Sequence, residues 1–319
     1  MVALMGPGGT LAMAVRALES GCDSVFVGPK GWSRRPATDE LSDGEIRDLI
    51  EWAHPRGKDV RVAINVMPAP HEIEAFLGKV ERYAAWGANG VMICDPGLIK
   101  LVHDRLPNLD IHVSVTAGIF NSRDIRFYKS LGANIVVIPY RWGTAELEEI
   151  RDRTGVSLEA FMFQSMRKGR ICPGRCYSSS YFKISHSVDA AGKDHFIGSA
   201  SRGGSCHRIC RATWDLTSDG DVLGQPDLKG TPELLLWEMP DYVRLGVSRF
   251  KIPGRERSVD LVGDICAFYR RVLDHVLAGD GDVSGFEEEW IEIRQRWVSE
   301  RGRRDEGRIT RAQSMAIAP

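Results

Sequence analysis

The feature that most constrains the fold is a short unit that recurs along the chain. Each copy has the end of an amphipathic helix, then a glycine, then a run of β-branched and other apolar residues. The clear copies read ALESGCDSVFVG, YAAWGANGVMIC, YKSLGANIVVIP and YVRLGVSRFKIP, and AHPRGKDVRVAIN is a looser one. Glycine at this place supplies the left-handed residue that ends a helix. Strands this apolar are typical of a parallel sheet covered on both faces, so the chain is predicted to consist of repeated βα units.

The strand count favours an α/β fold of the TIM-like (β/α)8 barrel type. An open doubly wound sheet is the alternative, and it would normally carry a dinucleotide-binding glycine pattern after its first strand. The sequence GPGGTL lacks the last glycine of that pattern, so we interpret it as a tight corner, with a phosphate cradle as the weaker alternative. The predicted strands are Val2–Leu4, Ser24–Val27, Val60–Asn65, Gly90–Asp95, Ile111–Val115, Ile135–Pro139, Leu158–Phe163 and Arg249–Ile252.

Three regions are predicted along the chain. Residues 1–280 form the barrel, and within them residues 165–248 form a cysteine-rich insertion between strands 7 and 8. The insertion has little helical periodicity and is too long for a passive connection in a compact domain. Residues 281–319 form a charged C-terminal helix and tail, in which Phe286, Trp290 and Trp297 make an apolar stripe.

Four of the seven cysteines lie in the insertion as two Cys-x-x-x-Cys pairs, Cys172 with Cys176 and Cys206 with Cys210. An odd cysteine count argues against a disulfide framework and for reduced thiols. Two pairs of thiolates can hold either an iron–sulfur cluster or structural zinc. Arginines flank both pairs, and positive charge that stabilises thiolates favours the cluster. The remaining cysteines are predicted to be core residues: Cys22, Cys94 and Cys266.

Charge and hydropathy restrict the partners. The chain has 42 Lys and Arg against 43 Asp and Glu, a net charge of -1. No overall field attracts nucleic acid or an anionic membrane, so nucleic acid is not expected as a partner. No apolar stretch is long enough to span a bilayer, and the first residues do not resemble a signal peptide. We therefore expect a cytoplasmic protein.

Several motifs, in order, resemble the collagenase-like peptidase family: VFVGPKGWSRR, INVMP, CDPGLIKLVHDRLPNLDIHVSVTAGIFNS, GRCYSSSYF, RGGSCHRICR and FKIPGRERS. The resemblance extends to about Leu277. It implies a barrel with a cysteine-rich insertion, and in the better understood branches a 4Fe–4S cluster used in oxygen-independent hydroxylation. Those branches include a two-protein system of anaerobic ubiquinone biosynthesis and members acting on tRNA and ribosomal RNA. The RNA-directed members carry additional domains, so the length of the chain favours the ubiquinone type.

That branch implies a small aromatic or quinone-precursor-like substrate, prephenate as the oxygen donor, and a homologous barrel partner in a heterodimer, with a homodimer as the alternative. The family signature Glu-x-Phe-x-His-Gly is matched at Glu159 and Phe161, but Gln164 and Ser165 stand where His-Gly is usual. Cys176, Cys206 and Cys210 match family cysteines. Cys172 takes over the fourth ligand role from a different position.

Polar residues at the ends of the predicted strands are the candidate site, because the loops after the strands form the active face of such a barrel. Carboxylates and a lysine can move protons, and guanidinium groups bind carboxylates bidentately. Mutual pairing of Asp95, Glu159 and Arg141 to brace the rim is the alternative. The predicted catalytic residues are Asp95, Glu159 and Lys251, and the predicted substrate-binding residues are Asn65, Thr116, Arg141 and Arg255.

Three functions stay open: an oxygen-independent hydroxylase, a collagenase-like peptidase, and a non-catalytic subunit that carries a cluster for a homologous partner. The peptidase is less favoured, because the sequence shows neither a recognisable nucleophile with its base nor a His-Glu-x-x-His motif. An enzyme of the hydroxylase type is the main prediction.

Overall fold

The computed structural model describes residues 2–35, 37–139, 142–150, 154–164, 186–196, 214–225 and 233–300. Eight parallel strands close into a barrel. The barrel strands are β1 (Ala3–Gly8), β2 (Ser24–Val27), β3 (Asp59–Ala63), β4 (Gly90–Ile93), β5 (Asp110–Val113), β6 (Ile135–Val137), β7 (Ser157–Phe161) and β14 (Val247–Lys251). Their order around the wall is β1-β14-β7-β6-β5-β4-β3-β2. The predicted barrel fold is confirmed.

Helices follow the strands and cover the outside of the barrel. Several begin at a polar residue whose side chain accepts a backbone N–H of the first turn, namely Thr10, Ser42, Asp95, Asn121 and Ser258. Such caps satisfy donors that the helix itself leaves unpaired. The helices are α1 (Leu11–Glu19), α2 (Asp43–Ala53), α3 (Ile73–Ala85), α4 (Pro96–Arg105), α5 (Ser122–Ser130), α6 (Thr144–Ile150), α7 (Met239–Arg244) and α8 (Val259–Leu277).

The first strand differs from the prediction. It was predicted to end at Leu4, but it continues to Gly8 and pairs with β2 from Met5 onward. Glycine is required there because α1 packs close to the strand. A Cβ on Gly6 would lie 2.7 Å from Ala17 Cβ, and one on Gly8 would lie 2.9 Å from Ala14 Cβ, and both alanines are on α1. Most of the GPGG sequence is therefore strand, and its glycines serve helix packing; the interpretation of the whole segment as a corner was wrong.

The barrel has two sets of buried side chains, because successive residues of a strand point to opposite faces. The outward set packs against the helices and belongs to one large apolar core, which includes Leu4, Val62, Val91 and Phe250. The inward set contains a separate small apolar cluster of Met5, Phe26, Ala63 and Met92. Charged and polar side chains occupy other inward positions, so the lumen is not a purely hydrocarbon core.

Short antiparallel pairs lie outside the barrel wall. They are β8 (Phe163–Gln164) with β13 (Glu233–Leu234), β9 (His186–Val188) with β10 (Asp194–Phe196), and β11 (Leu216–Ser218) with β12 (Asp221–Gly224). The β9–β10 hairpin contacts the barrel rim through Lys193, whose Nζ lies 2.7 Å from Glu72 and 4.7 Å from the ring of Trp32. The limits predicted for the three regions stay predictions.

The C-terminal stripe docks on the barrel. Residues 287–300 are helical. Trp290 Nε1 donates to the carbonyl of Leu234 at 3.1 Å, and the buried Trp297 ring lies under the guanidinium of Arg257 at 4.2 Å. Phe286 packs against Phe268 with ring centroids 6.2 Å apart.

The cysteines predicted to be core residues are buried. Cys22, Cys94 and Cys266 are each 0% exposed, and these three described cysteines form no disulfide with one another. Burial raises the pKa of the Cys266 thiol, and its hydrogen bond with Cys22 adds to that effect. Their prediction as core residues is confirmed. No helix in the described part of the chain is long and apolar enough to cross a bilayer.

Candidate functional site

Three charged or polar side chains meet inside the lumen at the carboxyl-terminal half of the barrel. Lys251 is the last residue of β14, and its Nζ donates to Glu159 Oε1 on β7 at 2.8 Å. Glu159 Oε2 lies 2.8 Å from Nδ1 of His112 on β5. Each of the three side chains is at most 4% exposed. Two of the residues predicted to be catalytic, Glu159 and Lys251, are thus in direct contact.

Arg61 on β3 extends this series of side-chain contacts toward the other end of the barrel. Its Nη1 lies 2.8 Å from His112 Nε2 and 2.7 Å from Asp110, and its Nη2 lies 3.1 Å from Asp59. A guanidinium can only donate, so His112 Nε2 must accept and Nδ1 must carry the proton. The Nδ1–H therefore donates to Glu159, and His112 is held as the neutral imidazole. We call Arg61, His112, Glu159 and Lys251 the lumen chain.

The ionisation states follow from burial and from these contacts. Burial lowers the pKa of His112 to about 4, which the nearby Glu159 only partly offsets. Burial alone would raise the pKa of Glu159, but the charge of Lys251 and the bond from His112 outweigh it and hold that pKa well below its usual range. Burial lowers the pKa of Lys251, and Glu159 opposes this shift. At neutral pH the lumen chain therefore holds the Glu159 carboxylate between the neutral imidazole of His112 and the ammonium of Lys251.

Lys251 ends the lumen chain in apolar and polarizable surroundings. Its Nζ lies 2.9 Å from the sulfur of Met92, 4.2 Å from the centroid of the Phe26 ring and 5.2 Å from that of Phe161. A thioether is a weak acceptor, so Glu159 is the strong partner of this ammonium. Ring faces stabilise the cation by their quadrupoles.

A second buried polar group lies beside the first, around Arg255 in the loop after β14. The Phe26 ring centroid is 5.5 Å from Arg255 Cζ, so this ring contacts both Lys251 and Arg255. Arg255 Nη1 donates to Ser33 Oγ at 3.1 Å, and Ser33 Oγ donates to Glu40 Oε1 at 2.5 Å. Arg255 Nε is buried without a hydrogen-bond partner. A Cβ on Gly28 would lie 2.3 Å from Arg255 Nη1, so glycine there makes room for this contact.

Burial sets the pKa values in this second group. It lowers the pKa of Arg255 to about 10, with the charge of Arg35 adding to the effect, so Arg255 stays charged at neutral pH. Burial raises the pKa of Glu40 to about 7, although the bond from Ser33 and the charge of Arg255 act in the opposite direction. Glu40 therefore titrates in the neutral range, while Glu159 stays ionised.

The predicted binding residues Asn65 and Thr116 lie near each other, joined by Ser114. Asn65 Nδ2 donates to Ser114 Oγ at 3.2 Å, and Ser114 Oγ lies 3.0 Å from Thr116 Oγ1. Asn65 Oδ1 is buried without a hydrogen-bond partner. The carboxyl ends of β3 and β5 therefore bring a polar cluster to the active face. Binding of a substrate by these residues stays a prediction.

Asp95 has a structural partner rather than a contact with the lumen chain. Its carboxylate accepts the backbone N–H of Leu98 at 3.0 Å and caps α4, with Pro96 in the first position of the helix. Glu159 is bonded to Lys251 and His112, and the alternative in which Asp95, Glu159 and Arg141 pair to brace the rim stays a prediction. Arg141 and the predicted ligands Cys172, Cys176, Cys206 and Cys210 lie outside the described residues.

Four residues of the site were not predicted from the sequence: His112, Arg61, Ser33 and Glu40. A signal for the first two was present, since Asp110, His112 and Ser114 alternate with apolar residues in DIHVSV, and Asp59 and Arg61 do so in DVRVAIN. Alternating polar residues within a barrel strand indicate a polar lumen. Ser33 and Glu40 lie in an irregular loop, and no spacing rule connects them with Arg255.

The strands form a closed parallel (β/α)8 barrel, and the buried lumen chain ends in Lys251 at their carboxyl ends. Many enzymes share this barrel and place their catalytic residues at that end. The chain belongs to peptidase family U32, whose family model matches residues 9–304. This confirms the predicted collagenase-like peptidase family.

Two curated relatives match along most of the chain. The tRNA hydroxylation protein P1 of Bacillus subtilis is 24% identical over 301 residues, which cover 91% of this chain and 67% of the relative. The 23S rRNA 5-hydroxycytidine C2501 synthase of Escherichia coli is 25% identical over 295 residues, which cover 88% of this chain and 40% of the relative. The chain thus spans about two thirds of one relative and less than half of the other. Neither name supports the predicted closeness to the ubiquinone branch.

One solved structure also matches the barrel. The structure of a U32 peptidase superposes with a TM-score of 0.51 at 15% sequence identity, covering 81% of this chain and 95% of the other. At this identity the match supports the shared fold.

Proposed function

We propose that the protein is an enzyme of the oxygen-independent hydroxylation type, acting on a nucleobase of RNA. The observation that carries this proposal is the match to the tRNA hydroxylation protein over 91% of the chain. That match takes in most of the barrel whose strands hold the lumen chain. The second relative, named for hydroxycytidine synthesis in 23S rRNA, supports the same chemistry.

The proposed substrate is RNA and not the small aromatic molecule that was first expected. The net charge of -1 led to the expectation that nucleic acid is not a partner. Net charge describes the field of the whole molecule, whereas a local patch can bind phosphates on a nearly neutral protein. That expectation is withdrawn. The small aromatic substrate and prephenate, which came from the ubiquinone branch, have no support in the two relatives and are not part of this proposal.

The lumen chain and the Arg255 group have distinct proposed roles. Lys251 presents an ammonium at the end of the lumen, and Arg255 presents a buried Nε without a protein partner. Donors of this kind suit an anionic substrate group or a negative charge that develops during reaction. Glu159 holds Lys251 protonated, and Arg61 holds His112 in the tautomer that supports Glu159. Arg61 and His112 are therefore positioning residues, while Lys251 is the proposed contact with the reacting molecule.

The proposed cofactor is a 4Fe–4S cluster, with zinc as the alternative. The donor set of Cys172, Cys176, Cys206 and Cys210 provides the four thiolates that such a cluster requires. When bound, a cluster of this type supplies one-electron transfer. A homologous barrel partner and a homodimer both stay predictions, as does the alternative of a non-catalytic cluster-bearing subunit.

Comparison of the modified nucleosides of tRNA and ribosomal RNA tests the proposed function. RNA from anaerobically grown cells with the intact gene should contain a hydroxylated nucleoside that is absent when the gene is deleted. A Lys251→Met copy should fail to restore it, whereas an Arg47→Ala copy, changed on the exposed face of α2, should restore it. Liquid chromatography with mass spectrometry measures the product. An identical nucleoside profile with and without the gene contradicts the proposal.

Substitution of the predicted ligands tests the cluster. Anaerobically purified protein should show broad absorbance near ~400 nm with matching iron and sulfide, and Cys206→Ala or Cys210→Ala should abolish it. The matched control is Cys266→Ala, which removes a fully buried thiol and should leave the colour unchanged while lowering the free energy of unfolding. A colourless wild-type protein that contains zinc would show that the cofactor is the alternative metal.

A peptidase is the second candidate, because the family model is named for peptidases. Within the described ranges, histidine nitrogens contact the side chains of Asn89, Arg61 and Glu159, the carbonyl of Asp282, and the carboxylates of Asp194 and Asp280. None of these six partners is a hydroxyl or a thiol. His71, Glu72 and Asp194 lie close enough to hold a metal ion, but Lys193 already places an ammonium 2.7 Å from Glu72. Peptide cleavage by protein free of iron would favour this candidate.

A further inference from the structure

The outer face of α5 combines exposed aromatic rings with cations. Phe127 is 53% exposed, and Phe120, which lies two residues before the helix, is 57% exposed. Arg123 and Arg126 are exposed as well. Ile125 and Tyr128 are buried and hold the opposite face of the helix on the barrel. At 3.6 residues per turn, positions 123, 126 and 127 all point away from that buried face.

Phe120 is held in place by its backbone. The loop after β5 turns at Gly118, which has a φ of 78°, and then reaches the capping residue Asn121. The Asp124 carboxylate accepts the backbone N–H of Phe120 at 2.7 Å and that of Asn121 at 3.2 Å. An exposed aromatic ring on a backbone fixed in this way loses little entropy when it binds a flat partner.

The same loop contributes to the active face. Ser114 and Thr116, which contact Asn65 in the candidate site, precede Phe120 by only a few residues. Phe120 therefore lies on the carboxyl-terminal side of the barrel, where the proposed chemistry occurs. Phe127 lies farther along the helix, and its ring packs against Tyr128 with centroids 5.4 Å apart. The surface thus leads from the active face onto the outside of the barrel.

The charges on this surface favour an anionic partner. Between Phe120 and Leu131 the chain has three cations, Arg123, Arg126 and Lys129, and one acidic residue, Asp124. The Asp124 carboxylate is directed at the backbone of the helix start. A surface that offers rings for stacking and guanidinium groups for phosphates has the chemistry that binds single-stranded nucleic acid.

We propose that Phe120, Arg123, Arg126 and Phe127 form a docking face for single-stranded RNA. The rings stack on unpaired bases and the guanidinium groups bind phosphates, which leads the strand toward the barrel mouth. This inference rests on the proposed function, since that function makes RNA the substrate. It goes further by assigning the surface that recognises the strand and by requiring unpaired bases.

Binding of a short fluorescein-labelled single-stranded RNA, followed by fluorescence anisotropy, tests the docking face. Phe120→Ala with Phe127→Ala should weaken binding by about tenfold or more, because neither ring can then stack on a base. Arg123→Ala with Arg126→Ala should also weaken it and should reduce the salt dependence by about 0.7 in log–log slope for each phosphate that the variant no longer binds. The matched controls are Leu101→Ala, an exposed apolar residue of α4, and Arg47→Ala on α2, and both should bind as the wild type does.

The outcomes separate this inference from the proposed function. If the wild type binds RNA and the double phenylalanine variant binds it equally well, the docking face is wrong and the proposed function stands. If that variant instead changes the oligomeric state by light scattering without a change in RNA affinity, the face is a protein interface and the inference is overturned. If the wild type does not bind RNA, the inference also fails, and the nucleoside comparison decides independently on the proposed function.

Discussion

Glu159→Ala should lower the free energy of unfolding by about 3–5 kcal/mol, the cost typical of removing one partner from a buried ion pair. The loss is large because Lys251 would keep a buried ammonium with only the sulfur of Met92 as its remaining hydrogen-bond partner. His112 would also lose the acceptor of its Nδ1–H. Urea unfolding at neutral pH measures the effect. Asp95→Ala is the comparison, and it should cost about 1 kcal/mol because it removes only a helix cap.

A double variant separates the ion pair from simple loss of volume. Glu159→Ala combined with Lys251→Met removes both charges, and it should recover much of the lost stability, since an apolar replacement of a whole buried pair is often neutral. The coupling between the two sites then equals the difference between the double variant and the sum of the single ones. A double variant no more stable than Glu159→Ala would show that the uncompensated lysine is not the cause of the loss.

The barrel could be predicted because its signal is local and repeated. A helix end, a glycine and an apolar run are each readable within about a dozen residues, and the copies reinforce one another. Predicted strand ends extended too far in several places, as in Gly90–Asp95, which the structure ends at Ile93. Asp95 in fact begins a helix, and the Asp-Pro pair is a helix-start signal that could have been recognised.

The site was predicted only in part, because its contacts join distant positions. Glu159 and Lys251 were chosen since each lies late in a strand, but their pairing depends on the closure of β7 against β14. The alternation in DIHVSV indicates that His112 points into the lumen, but its contact with Glu159 depends on the register of β5 with β6 and of β6 with β7, which local hydropathy does not reveal. Glu40 could not be predicted, because its position depends on the path of an irregular loop. Its contact with Ser33 depends on Gly28, which leaves room for the Ser33 side chain.

The loop carboxyl of Glu40 and the imidazole of His112 have opposite effects on stability as pH changes. The pKa of Glu40 is raised by burial from 4.5 to about 7, so the folded state binds its proton more tightly than the unfolded chain does. Its contribution to stability is therefore lost as pH rises from about 4.5 to 7. The pKa of His112 is lowered by burial from 6.5 to about 4, so the unfolded chain binds that proton more tightly. Its effect makes stability rise with pH between about 4 and 6.5.

Glu40→Gln should therefore steepen the pH dependence of stability. In the wild type the effects of Glu40 and His112 on the free energy of unfolding oppose each other between about pH 4.5 and 6.5, and the variant keeps only the effect of His112. Its free energy of unfolding should rise by up to about 3 kcal/mol more than that of the wild type over this range, because each pKa unit is worth about 1.4 kcal/mol. Urea unfolding at a series of pH values measures both curves, with Glu51→Gln on the exposed face of α2 as the control. Parallel curves for wild type and Glu40→Gln would mean that Glu40 is ionised in the folded protein throughout this range, held so by Arg255 through Ser33.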